Sequence, residues 1–457
     1  MAHNRFRIPS VLVALQFCCL AAAQQPEQPA TVPDDADKLV AQLSEGDLDW
    51  ESSSQPGLSF EHRRRVSALV AMKDEALPAL KRGLESDDLN LRLNCVYILR
   101  EIDTPASLEM RIALISDDHP RVRARAVAGL GRYNSHEARS AVLAAFKDPD
   151  PGVRSAAVRS VPRDREKLPR DSYSLLKALV GLLNDKYTQR DAARVLGNLE
   201  AGNASRPLLR LLRSPDSRVR IAAIQAEGKI KDKSVAPDLT VTLSDEDHYV
   251  RMYAAMALGE LGDMRATSGL VAALADQEIA VRRESARALG RIGDRRAIPP
   301  LIKALDDSSG AVRGAAAEAL GEIGDPAAGE ALSRLLLATP EDGATDKAKA
   351  AEALGKLGDP RAISPLKEYL RTLEPRHDRD GCEAAAALAQ IRHPRAIAAL
   401  VELFLESPHN NIRGACRGAL GQAVGNALGR GEDVEKWWDE NGWKYQYPLP
   451  DQEQTAE

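Results

Sequence analysis

Aromatic side chains make up only 4% of this 457-residue chain, too few for one large aromatic-rich core. Ala, Leu, Arg and Gly dominate instead, which suits thin helices packed closely through small side chains. A surplus of one charge is also missing. With 62 basic and 67 acidic residues the formal net charge is −5, which speaks against nucleic acid or an anionic membrane as the main partner. No nucleophile elbow, phosphate loop, Cys-x-x-Cys pair or dinucleotide fingerprint occurs, so the common catalytic routes lack their markers. Neither a catalytic residue nor a cofactor is expected.

Long apolar runs are confined to the start. Arg5 and Arg7 precede an uncharged, mostly apolar stretch from Ile8 to Ala23 that ends Ala21-Ala22-Ala23 before Gln24. A basic flank, a short apolar run and small residues at its end are the pattern of a cleavable export signal. The run falls short of the ~20 apolar residues that a membrane span needs, so residues 1–23 are expected to be removed and the chain exported, periplasmic or secreted. Removal of those two arginines leaves 60 basic against 67 acidic residues, a net of −7. Cys18 and Cys19 suggest a lipoprotein anchor, but the bulky Leu15 and Phe17 disfavour such a site. Cys95, Cys382 and Cys416 would survive cleavage, an odd number that forms no complete disulfide framework. Residues 24–59 are Gln-, Pro-, Ser- and Asp-rich and are expected to be a disordered tether, with room for a short helix at Asp37 to Gly46.

What the chain does have is a repeat. Val250-Arg251 running to Gly262-Asp263 recurs as Val281 to Asp294 and as Val312 to Asp325, at a spacing of 31 residues. With the Val as register mark, twelve units start at Glu61, Leu91, Val122, Val153, Thr188, Val219, Val250, Val281, Val312, Asp346, Asp380 and Ile412. The mark, Ala four later, Leu eight later and Ile or Leu eleven later share one helical face. Gly262, Gly293, Gly324 and Gly358 suit left-handed caps, and the Asp after each suits the start of the next helix. That next helix carries proline only in its first turn, as in Ala297-Ile298-Pro299-Pro300. Extra residues interrupt the period around Pro162 to Ser172, Thr339 to Asp346 and Glu374 to Asp380.

The Val-Arg, Ala, Leu-Gly, Gly-Asp and Arg-Ala-Ile pattern closely resembles HEAT repeats of the phycobilisome-lyase-like type, over roughly residues 60 to 430. The resemblance implies an all-α fold, a right-handed α-solenoid of about twelve helix pairs over residues 60–431, with the Val-Arg helices lining its concave face. It implies scaffolds and adaptors, but also chromophore lyases and metal-dependent hydroxylases, so fold does not settle function.

Residues then weigh between these. The arginines after the mark, among them Arg92, Arg123, Arg220, Arg251, Arg282 and Arg313, tempt an anion-site reading. Asp117, Asp148, Asp245, Asp276 and Asp307, five residues before the mark, instead predict a ladder of ion pairs between neighbouring units. A two-iron site needs several facing His-Glu pairs, whereas the chain has one, His136-Glu137, with its remaining histidines spread over separate units; no metal site is expected. Arg125, Arg132, Arg159, Arg163 and Arg194 at expected concave positions are the basis for a nucleic-acid alternative, opposed by export and by negative charge.

The remaining reading is a scaffold or adaptor with a protein or peptide in its groove and no nucleic acid, its oligomeric state open. Ile221, Met252, Tyr253 and Met256 are expected on the open face of two adjacent units, with Arg194 on one side and Arg283, Arg287 and Arg291 on the other. An adaptable apolar centre rimmed by arginine is what a docking hot spot requires. The Val219 unit also places Glu227 where other units place Leu258, Leu289 and Leu320, so a carboxylate must find a cation, shift its pKa upward or sit where the stacking opens. Finally, Trp437, Trp438, Trp443, Tyr445 and Tyr447 gather in residues 432–457, which are expected to cap the last repeat or to dock a partner.

Overall fold

The computed structural model describes residues 36–44, 60–168, 172–338, 345–373, 378–424 and 434–445. The expected signal, Trp50, Tyr447 and half the residues of the three period breaks lie outside these. Among the described residues there is helix and no strand. All twelve register marks fall on a helix or, for Thr188, on the residue before one. Each such mark helix is followed by a second helix, so the architecture is an α-solenoid of stacked helix pairs. Contacts group it into two compact units, Met1–Leu130 with Ser135–Ala157 and Gly131–Asn134 with Val158–Glu457.

In the first unit a short helix, Ala36–Ala41, with the turn Gln42–Ser44 that follows it, buries Leu39, Val40 and Leu43 against Leu69, Leu80, Cys95 and Leu99. Its anchor is polar: buried Asn94 donates to the Leu43 carbonyl at 2.6 Å. Arg111 is fully buried, and its guanidinium donates to the carbonyls of Ala126 and Ala128 at 3.3 and 2.7 Å. It thereby satisfies acceptors at the end of the Pro120–Val127 helix that the helix itself cannot.

In the second unit one apolar core runs from Ile224 to Trp437. Successive mark helices approach closely because the residue nine after the mark is Gly, which meets the Ala seven after the next mark. A Cβ added to Gly259 would lie 2.9 Å from the Ala288 Cα, and one on Gly321 would lie 2.9 Å from the Ala353 Cα. The Leu-Gly pair is thus a packing requirement: Leu fills the core of its own unit, and Gly lets the next helix in.

The caps form as the pattern predicts. Gly262, Gly293, Gly324 and Gly358 have φ of 63°, 72°, 73° and 65°. The same position holds Lys231 at φ 60°, a side chain forced into a conformation that glycine adopts freely. Asp232, Asp263, Asp294, Asp325 and Asp359 each accept a backbone N–H two residues on. The arginine ladder is present too. Arg123, Arg220, Arg251 and Arg282 reach Asp148, Asp245, Asp276 and Asp307 at 2.7–2.8 Å. At the next step the unit mark itself, Asp346, supplies the carboxylate to Arg313 at 2.6 Å. This explains an acid where other units carry Val.

At the far end, Val434 and Trp437 of the Val434–Asn441 helix are buried in the same core as Cys416 and Leu420. Trp438 and Tyr445 stack over them, their rings 6.3 Å apart and 17° from parallel. Burial pushes the thiols of Cys95 and Cys416 up to about 12, so these two behave as small apolar residues, while Cys382 is exposed. No helix among the described residues is long and apolar enough to cross a membrane.

Candidate functional site on the open face of the mark helices

At 100° per residue, positions two, three, six and ten after the mark point away from the stripe that enters the core. On the helix Ser217–Ile230 these are Ile221, Ala222, Gln225 and Lys229; on His248–Leu261 they are Met252, Tyr253, Met256 and Glu260. Ile221, Met252, Tyr253 and Met256 are half-buried, and the first three rest against the continuous core. The two helices stack directly, so their apolar side chains share one face.

The flanking arginines sit on either side. On Gln189–Asn198, Arg190 and Arg194 are exposed and lie 3.8 Å from Asp191, and Arg159 of the preceding helix lies 3.6 Å from it. On Ile279–Ile292, Glu284 accepts from Arg283 at 3.0 Å and from Arg287 at 3.1 Å. Arg291 is exposed and lays its aliphatic stem beside Gly259. Asp191 and Glu284, which hold these clusters, are absent from the expectation above. Their signal is an acid one residue after an arginine and three before another, the spacing at which helical side chains meet.

Glu227 lies elsewhere. It is fully buried in the core of its unit, where no partner on the open face reaches it, and neither carboxylate oxygen has a hydrogen-bond partner. Among the described residues no arginine answers it. Ser205 is close enough to favour the charged form but is not in hydrogen-bonding geometry. Burial dominates, Asp232 and Asp238 add repulsion, and its pKa rises to about 7. Arg125, expected at a concave position, is also buried and donates to the Leu93 carbonyl at 3.1 Å. It is a structural tie and is lost to any groove. Among the described residues no three His, Cys, Asp or Glu side chains are grouped to hold a metal ion.

The pattern of HEAT repeats matches residues 108–197, 174–259, 205–279 and 267–348, and that of the PBS lyase HEAT-like repeat matches 346–372 and 382–406. The chain belongs to the HEAT-repeat family. No curated protein matches it. Its HEAT solenoid resembles the karyopherin Kap121p in three solved structures. The one bound to Pho4p has TM-score 0.55 at 13% identity, covering 94% of this chain and 53% of that one. The one bound to the extreme C-terminus of the protein phosphatase Cdc14p has TM-score 0.54 at 13% identity, covering 96% and 55%. The one bound to Nup53p has TM-score 0.54 at 14% identity, covering 95% and 53%. The chain thus spans about half the length of these karyopherins, and identity this low speaks to fold alone.

Proposed function

We propose that this HEAT-repeat chain is an exported scaffold or adaptor that holds a protein or peptide on the open, groove-facing side of the Val219 and Val250 units. One observation carries the reading: Ile221, Met252, Tyr253 and Met256 form a half-exposed apolar patch with charged side chains on the helices to both sides. Core burial accounts for only part of each side chain, and contiguous exposed apolar surface marks interaction sites. Methionine adapts its shape to a partner, and tyrosine supplies rigid contact area. The Kap121p structures bound to other proteins support a HEAT solenoid in this role. Export rests on the leader from Arg5 to Ala23.

The test is capture from the source envelope fraction by the chain and by its Tyr253→Ala, Met256→Ala double variant. The variant should stay folded, melting somewhat lower because Tyr253 rests against the core, and lose the captured protein. Undiminished capture would move the site off these two helices. Intact mass checks export: the expected N-terminus is Gln24 without lipid, and a lipid on Cys18 or Cys19, or a retained Met1, would refute that part.

A further inference from the structure

The arginine clusters on either side of the apolar patch differ from the ladder in a way that points to the partner's chemistry. Ladder guanidiniums lie 2.7–2.8 Å from their carboxylates, with the side chains of both partners mostly buried. On the open face, Arg159, Arg190 and Arg194 surround the single Asp191 at 3.6–3.8 Å, with 40–51% of each arginine side chain exposed. Those separations are too long for hydrogen bonds, so Arg190 and Arg194 keep donors for another acceptor. Arg190 and Arg194 against the one carboxylate of Asp191 leave this cluster with positive charge in excess.

The second cluster repeats the arrangement. Arg283 and Arg287 share the one nearly buried carboxylate of Glu284, with side-chain exposures of 36% and 42%, and Arg291 lies on the same face with Glu322 of the next unit acting on it. Beyond it the sign reverses: Glu318 lies 3.9 Å from Arg287 and 3.3 Å from Lys349. Excess positive charge therefore ends at the Val281 unit. Between the clusters, the Val219 and Val250 helices offer Ile221, Gln225, Met252, Tyr253 and Met256, with Lys229 and Glu260 toward their C-terminal ends and no arginine on this face.

Resting on the docking reading above, we infer that the partner is a segment with an apolar centre flanked on both sides by acidic side chains. Aspartate or glutamate meets the two arginine clusters, and leucine or phenylalanine packs on Met252, Tyr253 and Met256. Three helix-to-helix steps of roughly 8–10 Å separate the clusters, a distance that an extended chain covers in about eight residues at ~3.3 Å each. A single-stranded nucleic acid fits less well, because its evenly spaced phosphates would cross an apolar gap with Lys229 as the cation at its edge.

The experiment is fluorescence anisotropy on the chain from Gln24 onward with four dye-labelled probes. Three are synthetic peptides with a Leu-Phe-Leu centre flanked by acidic, serine or lysine triplets, and the fourth is a twelve-base oligothymidine. The acidic peptide should bind about tenfold tighter than the serine peptide at low salt and lose that advantage at high salt. The lysine peptide should bind weakest. Arg190→Gln with Arg194→Gln, and Arg283→Gln with Arg287→Gln, should each remove part of the advantage, and Tyr253→Ala with Met256→Ala should weaken all three peptides. Equal binding of acidic and serine peptides that still needs Tyr253 and Met256 overturns the charge inference and leaves the docking site. Peptide binding insensitive to that double variant overturns both. Tightest binding of the oligothymidine replaces the peptide with a nucleic acid, and no binding by any probe overturns the inference.

Discussion

Arg251 grips Asp276 of the next HEAT unit through two hydrogen bonds of 2.7 and 2.9 Å, while its third nitrogen holds the Asp245 carbonyl at 2.9 Å. One side chain thus closes its own loop and ties it to the following one. Burial pushes the Asp276 carboxyl up, but Arg251 and the backbone N–H of Glu278 outweigh it and hold the pKa below the usual range.

Asp276→Ala leaves Arg251 nearly buried without its carboxylate and should cost about 3 kcal/mol, read as a lower urea midpoint. Because the folded pKa is depressed, the stability Asp276 confers is complete above the unfolded value near 4 and is lost as pH falls through the folded value. The variant should therefore lose less stability on acidification than the parent. An unchanged midpoint at pH 7 would reduce the ladder to surface decoration.

Glu227 has the opposite sign. Its folded pKa of about 7 exceeds that of an ordinary glutamate, so the folded state prefers the protonated form. Its contribution costs nothing below about pH 4, grows between pH 4.5 and 7 and is constant above, amounting to about 3 kcal/mol in all. Glu227→Leu should raise the urea midpoint at pH 8 far more than at pH 5. Equal gains at both pH values would mean that the carboxylate is not neutral in the fold.

Lys231 ends the Ser217–Ile230 helix in the left-handed region, and its N–H donates to the Glu227 carbonyl at 3.0 Å. Lys231→Gly keeps that bond, relieves the side chain's clash and should add about 1 kcal/mol of stability. A lower melting temperature would show that the lysine side chain contributes more than its backbone costs.

Trp437 is 8% exposed within the terminal core. Trp437→Ala should cost about 3 kcal/mol, and deletion of residues 432–457 should lower melting temperature or solubility by uncovering the last repeat. If the shortened chain melts unchanged and loses a partner, the segment docks rather than caps.

Helix positions, the Gly caps, the Asp starts and the arginine ladder were legible in the sequence because each follows from backbone geometry or from a contact to the adjacent unit, and the 31-residue period writes them out repeatedly. The apolar patch was legible for the same reason: a residue's place relative to the mark sets its face. What only the tertiary structure decided was the state of each charge. Glu227 was recognisably misplaced, yet whether a cation reached it depended on the side chains of neighbouring helices, and among the described residues none does. Arg125 occupied a position that pattern assigned to the open face, and the fold buried it beneath the Leu93 carbonyl. Asp191 and Glu284 looked like ordinary surface acids until arginines gathered around them. Period and turn chemistry are local and additive along a solenoid, whereas the electrostatics of a side chain is set by burial and by everything within a few ångströms, which three-dimensional packing alone determines.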